Sequence, residues 1–244
     1  MFQNYRDSNI LSSSHFSLAH SGFTQKAAGD MRKIQSIKTF FSESDISPRK
    51  IVLLEQIHSV NISLPDKLHL GEVEILEESD GVVTDDPGAA LVVRVADCVP
   101  VLYFDPVHNI IGASHNGWRG SEKNMIAQMI GKMEALGAEA THIRIAFGPA
   151  IGECCYTVDL DRYIFFMERL ERFEKNIFKP HGQAYRLNLT RLNYELALEC
   201  GIHKKNIDFF PFCTSCDSTR FFSFRRQIKK EPQHFGEMMG YIML

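Results

Sequence analysis

Residues 90–105 read "ALVVRVADCVPVLYFD". Two β-branched, apolar runs, "ALVVRVA" (90–96) and "VPVLYFD" (99–105), flank the pair Asp97–Cys98. Neither run has helical spacing, and both are short enough to be strands buried on two faces. The acid and thiol between them mark the end of one strand and the start of the next. Working outward, "NIIGASH" (109–115) reads as another strand, and "KIVLLEQIH" (50–58) as a strand that delivers His58 at its end. "HIRIAF" (142–147), "IDFFPF" (207–212), "RFFSFRR" (220–226) and "MMGYIML" (238–244) read as later strands.

Helical periodicity appears in three places. Residues 121–136 set Met125, Ile126, Met129, Ile130 and Met133 on one face, with Ser121 as N-cap and Gly137 as stop. That methionine stripe reads as core packing rather than a cofactor box. Residues 159–173 and 189–200 read as further helices, the second closed by Gly201. Strands come first and mixed helices and strands follow, without the regular alternation of a doubly wound fold. The expectation is an α+β protein: one domain over residues 1–244, with mixed β-sheets flanked by helices and no low-complexity linker.

Composition narrows the function classes. A chain of 244 residues that is 44% hydrophobic can bury a sizeable core. Its formal charge of -3 provides no basic field for nucleic acid. The longest apolar run is broken by Arg94, Asp97 and Pro100 and is too short for a membrane span. "MFQNYRDSNILSSSHFSLAH" (1–20) lacks the charged start, apolar stretch and cleavage site of an export signal, so the expected location is the cytoplasm. The six cysteines are then thiols, core residues or metal ligands rather than a disulfide framework. No oligomeric state follows from the sequence.

The chemistry concentrates at strand ends. His58 closes "QIH", Cys98 closes "ADC", and His115 precedes the glycine-flanked "NGWRG". Two imidazoles and one thiolate suit zinc or copper, and three protein ligands leave a fourth position open. A histidine after a buried strand is also an ordinary core residue satisfied by a hydrogen bond. Convergence of the three at one sheet edge is therefore an expectation for the fold to meet. "CTSC" (213–216) is a single C-x-x-C where zinc ribbons use two, and it reads as structural. Cys154–Cys155 form a vicinal pair, and Cys200 reads as core. Arg220, Arg225, Arg226, Lys229 and Lys230 alternate with Phe221, Phe222 and Phe224, which reads as a solvated strand face rather than a nucleic-acid surface. No H-x-E is present, which excludes the cytidine-deaminase pattern.

The segments "LEQIHS", "DGVVTD", "ADCVPVLYFDP", "GASHNGWRG", "GPAIGECCYTV" and "CTSCDSTRFFSFRR" resemble, in order, the signature blocks of the YfiH family, also called the multicopper polyphenol oxidoreductase or laccase-domain family. The likeness covers roughly residues 50–244. It implies a metal held by His58, Cys98 and His115, zinc with copper as the alternative. It also implies a purine nucleoside enzyme that phosphorolyses adenosine, inosine and methylthioadenosine and hydrolytically deaminates adenosine. Copper-dependent phenol oxidation and editing of peptidoglycan precursors are attributed to relatives.

On that reading, zinc would bring the pKa of a bound water toward about 7 for attack on C6 of adenosine. Asp97, Asp80 and Glu55 are candidate proton shuttles, although strand alternation turns Asp97 away from the side Cys98 faces. Arg119 and Arg225 are candidate phosphate donors, Trp118 a cover for the base and Tyr156 a substrate contact. Three readings stay open: the purine nucleoside enzyme, a copper oxidase of phenols, and a metal-free role as a Cys98–His115 hydrolase or a nucleoside-binding regulator. The family's N-terminal block is altered within a divergent segment, 1–49: Ala19 stands where relatives carry arginine, and Ser21 where they carry glycine. Val95, Asn116 and Glu237 replace a threonine, an alanine and an arginine.

Overall fold

The computed structural model describes residues 10–67, 71–228 and 235–244. The run at 90–105 forms two strands, and they belong to different sheets. Among the described residues, one six-stranded sheet has the order Ile10–Leu11, His20–Thr24, Met238–Met243, Ala89–Val95, Lys50–Leu54, Val73–Leu76. The other six-stranded sheet runs Ile207–Phe209, Arg144–Phe147, Val99–Asp105, Ile110–Asn116, Gly81–Thr84, Ile62–Ser63. Both are mixed: Lys50–Leu54 runs parallel to Ala89–Val95 while Met238–Met243 runs antiparallel to it. In the second sheet Val99–Asp105 and Ile110–Asn116 form an antiparallel hairpin, and Arg144–Phe147 pairs in parallel with Ile207–Phe209. The chain thus crosses between sheets at Ala96–Cys98, where Asp97 takes φ +91.

Side-chain alternation explains the layering. Leu91, Val93 and Val95 face Leu102, Phe104, Ile111 and Ala113 in the core between the sheets. Ala90 and Val92 point the other way and pack with Ile37 and Phe41 of the helix Ile34–Glu43. Val99, Val101 and Tyr103 turn outward from the second sheet onto Met125, Met129 and Met133. Leu192 and Leu196 of the helix Leu189–Glu199 join that cluster. The result is helix, sheet, sheet, helices, the α+β arrangement expected. Each fully buried methionine or leucine here contributes about 1.5–3 kcal/mol. Among the described residues no helix is long and apolar enough to cross a membrane.

Local details depart from the sequence expectation. The methionine helix is Met125–Glu134, capped by Asn124 in the left-handed region, whose side chain accepts from the Ala127 N–H. Ser121 instead lies inside a separate helix, Trp118–Glu122. Residues 220–226 are not a strand: Ser223 caps a short helix, Phe224–Gln227. Only Ile207–Phe209 of 207–212 is a strand. The basic cluster is correspondingly not a solvated strand face. Arg220 pairs with Asp217 at 2.6 Å, and Arg226 donates to the carbonyls of Thr214, Ser215 and Phe221. Alternating Phe and Arg mimicked a strand, but carbonyl acceptors in the adjoining loop captured the guanidinium groups. Lys229 and Lys230 lie outside the described residues.

Candidate active site

The two sheets bring His58, Cys98 and His115 together, with their ligand atoms within 4.8 Å of one another. Cys98 arrives from the crossover and His115 from the strand Ile110–Asn116. His58 comes from a loop beyond Lys50–Leu54, at φ 63. That loop is held in line by Gln56, whose amide donates to the Arg94 carbonyl and accepts from the Arg94 N–H, both at 2.8 Å, as a substitute for ladder bonds. The imidazoles of His58 and His115 meet edge to face, with centroids 4.8 Å apart, and Cys98 Sγ lies 4.0 Å from His58 Nε2.

Asp80 organises the set. Its buried carboxylate accepts from the backbone N–H groups of Ile57, His58 and Ser59 at 3.1, 3.1 and 2.6 Å, and from the Ser59 hydroxyl at 2.8 Å. It also lies 2.8 Å from His115 Nδ1. Burial alone would raise its pKa, but the bonds from His115 and Ser59 hold it below the ordinary carboxylate value. With Nδ1 committed, His115 presents Nε2 to Cys98, the orientation that a carboxylate behind an imidazole ligand imposes. Burial opposes charge on Cys98, yet His115 and His58 bring its thiol down to about 7. For His115, burial pulls downward, while Cys98 and Asp80 raise it to about 10. Each group thus favours the charged form of the other. Gly117 is required by space: a Cβ there would lie 2.9 Å from His58 Cδ2 and 3.3 Å from Cys98 Sγ.

His58 and Cys98 line one side of a cavity of about 240 Å³, with Trp118, Tyr156, Arg162 and Arg225 among its other walls. Arg162 lies over the Trp118 ring at 3.6 Å from its centroid, and Arg225 over Tyr156 at 5.1 Å. Burial and the nearby Cys98 push the Tyr156 phenol up to about 12, against the two arginines. Asp97 borders the cavity, but its carboxylate accepts from the Thr214 hydroxyl (2.6 Å), the Ser223 hydroxyl (3.0 Å) and the Arg225 N–H (2.6 Å). The residue fastens the crossover to the loops behind it. Arg119 is exposed on the Trp118 ring, 4.8 Å from its centroid, and is not among the residues lining the cavity. Glu55 is exposed, accepts from the Glu78 N–H at 3.2 Å, and likewise is not a lining residue. Arg162 was not anticipated; the only sequence signal was its place in the first turn of a helix, Leu160–Leu170, capped by Asp159.

The altered family positions have visible settings. Ala19 and Ser21 line a different cavity, of about 510 Å³, with Ser12, Ser13, Ser14 and Ser17 among its other walls. Asn116 is fully buried and donates to Asn193 Oδ1 at 2.7 Å, and Asn193 donates to the Ser121 hydroxyl at 2.8 Å. That relay ties "GWRG" to the helix Leu189–Glu199.

Residues 13–244 match the family described as "Multi-copper polyphenol oxidoreductase laccase". The chain is 33% identical over 199 residues to "Purine nucleoside phosphorylase YlmD" of Geobacillus stearothermophilus, covering 78% of this chain and 71% of that protein. It is 31% identical over 169 residues to the Bacillus subtilis protein of the same name, with 68% of this chain aligned and only 59% of the relative's length spanned. "Adenosine deaminase RL5", from an unknown prokaryotic organism, is 29% identical, with 83% of this chain and 78% of that protein covered. Among solved structures, Bacillus licheniformis YfiH superposes with a TM-score of 0.86 at 29% identity, over 100% of this chain and 98% of that one.

Proposed function

Because the chain belongs to the multi-copper polyphenol oxidoreductase laccase family, we propose that it is a metal-dependent purine nucleoside enzyme of the cytoplasm. Its reactions are phosphorolysis of adenosine, inosine and methylthioadenosine and hydrolytic deamination of adenosine. The observation that carries this reading is a thiol and two imidazoles clustered beside a cavity walled by an indole, a phenol and two guanidinium groups. The names of the phosphorylase and deaminase relatives support it. All six cysteines are free thiols, which suits a reducing compartment.

The donor set fits zinc: a low-pKa thiol, an imidazole backed by a carboxylate, and a second imidazole on the exposed side. His58, Cys98 and His115 would hold it, with copper the alternative ion. When bound, such an ion supplies Lewis acidity and makes water ionisable near neutral pH. The chain's own side chains do the rest. Trp118 carries the Arg162 guanidinium stacked on its ring, and this pair walls the cavity on the side where a purine would lie. Arg162 and Arg225 offer forked donors for phosphate, whose oxygen attacks C1′ as the bond from C1′ to the base breaks. Tyr156 stays protonated through neutral pH and donates a hydrogen bond to the base. Asp80 acts by holding His115 and the His58 loop, and Asp97 by holding the crossover, so both are positioning residues.

A second reading rests on the placement of the Cys98 thiol between two imidazoles, which lower its pKa: without a metal, the Cys98–His115 pair offers the nucleophile and base of a cysteine hydrolase. A copper phenol oxidase is less favoured, because laccase chemistry distributes four electrons over several coppers and this cavity offers one His/Cys set.

The test is incubation of metal-analysed protein with adenosine, with and without phosphate, beside Cys98→Ala. Adenine that requires phosphate, and inosine formed without it, are expected, both lost in the variant and after chelation. Nucleosides left intact by fully metallated protein would overturn the proposal. Turnover that survives chelation but not thiol alkylation would assign the hydrolase instead.

A further inference from the structure

The second concentration of thiols is separate from the His–Cys set. Cys154 and Cys155 lie in the turn that follows the strand Arg144–Phe147, and Cys213 and Cys216 in the loop that follows its parallel neighbour Ile207–Phe209. The pairing of those strands continues into the loops as a bridge between Ala150 and Cys213, with the Thr214 N–H donating to the Ala150 carbonyl at 3.0 Å. The two cysteine pairs are therefore brought face to face by the sheet. Cys216 Sγ lies 3.4 Å from Cys154 Sγ and 3.3 Å from Cys155 Sγ, and all four sulfurs fall within 4.8 Å of one another.

These spacings are far beyond a disulfide bond of about 2.05 Å. They bracket the edge of a sulfur tetrahedron around zinc, about 3.8 Å for bonds of about 2.3 Å. The surroundings also match a thiolate site. The Gly152 N–H donates to Cys213 Sγ at 3.2 Å. Gly152 lets the turn approach the thiols closely: a Cβ would lie 3.1 Å from Cys213 Cβ and 3.3 Å from Cys154 Sγ, tight contacts that would press on the cluster. Arg226 clamps the Cys213–Cys216 turn through the carbonyls of Thr214 and Ser215, at 2.6 and 3.0 Å. Cys154 and Cys216 are exposed, which gives an ion access.

We propose that Cys154, Cys155, Cys213 and Cys216 form a second, tetrathiolate metal site that takes zinc and braces the pocket wall. A single C-x-x-C supplies half of it, and the vicinal pair supplies the other half. The site has all four positions filled by protein, the mark of a structural rather than a catalytic ion. Its ligands adjoin residues that shape the pocket: Tyr156 follows Cys155, and Thr214, between Cys213 and Cys216, donates to Asp97. Arg225 adds a third tie by donating to the carbonyls of Cys155 and Thr157 at 3.4 and 3.2 Å.

The test is metal analysis of protein purified under reducing conditions without chelator, as wild type, Cys98→Ala, and Cys98→Ala combined with Cys154→Ser and Cys216→Ser. Cys98→Ala removes the His–Cys set, so zinc retained by it, about one per chain, is the expected result, and the combined variant should retain none. Cadmium-113 exchanged into the wild type gives a readout that needs no substitution: a resonance in the tetrathiolate range is expected beside the one from the mixed site. Absence of zinc from Cys98→Ala together with absence of that resonance would overturn the proposal. So would a Cys154–Cys216 or Cys155–Cys216 disulfide found by mass spectrometry in the protein as purified under reducing conditions, before any metal is removed. None of these readouts depends on nucleoside turnover.

Discussion

Asp80 lies 2.8 Å from His115 Nδ1 and, with the same carboxylate, accepts from the His58 N–H, so one buried acid aligns two histidines from different parts of the chain. Asp80→Asn keeps the shape but removes the charge that supports His115 and weakens its grip on the His58 loop. Zinc affinity of the His–Cys set should fall by about 10- to 100-fold, the usual cost of losing such a partner. Competition with a chromophoric chelator measures it; unchanged affinity would mean Asp80 is merely a loop anchor.

Cys98 provides a pH prediction for the metal-free protein. Burial raises its pKa, but His115 and His58 outweigh burial and take it from 9.0 to about 7. A depressed thiol pKa contributes stability that is complete above the unfolded value and is lost as pH falls through about 7. Alkylation of Cys98 by iodoacetamide should accordingly rise with a midpoint near pH 7. His115→Ala should move the midpoint upward, toward the ordinary thiol value, and an unshifted midpoint would remove His115 as the cause.

Gly117→Ala tests the crowding beside the ligands. The new methyl would meet His58 Cδ2 at 2.9 Å, and His58, exposed in its loop, is the group that must yield. Metal affinity should drop at least about tenfold, or about 1.4 kcal/mol, while far-UV circular dichroism stays that of the wild type. Retained affinity would show that the loop relaxes without moving the imidazole.

Two arginines on one indole should behave differently. Arg162 lines the cavity and Arg119 does not. Loss of a hydrogen bond to a charged group costs about 1.5–3 kcal/mol, so Arg162→Ala should lower kcat/KM for phosphorolysis roughly 10- to 100-fold, mainly through the KM for phosphate. Arg119→Ala should stay within about twofold of wild type, as exposed substitutions usually do. Equal losses would mean that phosphate enters along the outer face of Trp118.

The strands at 90–105 were legible because each is an uninterrupted β-branched run, but their assignment to separate sheets was not: that depends on which strands they pair with, residues 238–243 for one and 144–147 for the other. Alternation has no hold on Asp97 and Cys98, because both lie in the crossover between the strands, where Asp97 takes φ +91, and both border the same cavity. The helix at 125–134 was read correctly from its methionines, whereas its cap was not, because Asn124 starts it from a left-handed conformation. The period-two pattern of Phe and Arg at 220–226 failed for a different reason: Ser223 and Arg226 found backbone partners that a strand does not offer. In the site, reactive side chains at strand ends suggested the grouping of His58, Cys98 and His115, and the family resemblance suggested their role. Arg162 and the four-cysteine cluster depend on loop and helix placement that no local spacing encodes.

The crossover at Asp97 has a consequence for biosynthesis. Its carboxylate is secured by Thr214, Ser223 and the Arg225 amide, which lie 117, 126 and 128 residues further along the chain. His58, Cys98 and His115 leave the ribosome long before those anchors exist. A nascent chain can thus present all three ligands while the backbone that aims Cys98 is still unfastened. The pocket takes its final form only once those anchors have emerged, so chains truncated before residue 214 should fail to make it even though they contain every residue of the His–Cys set.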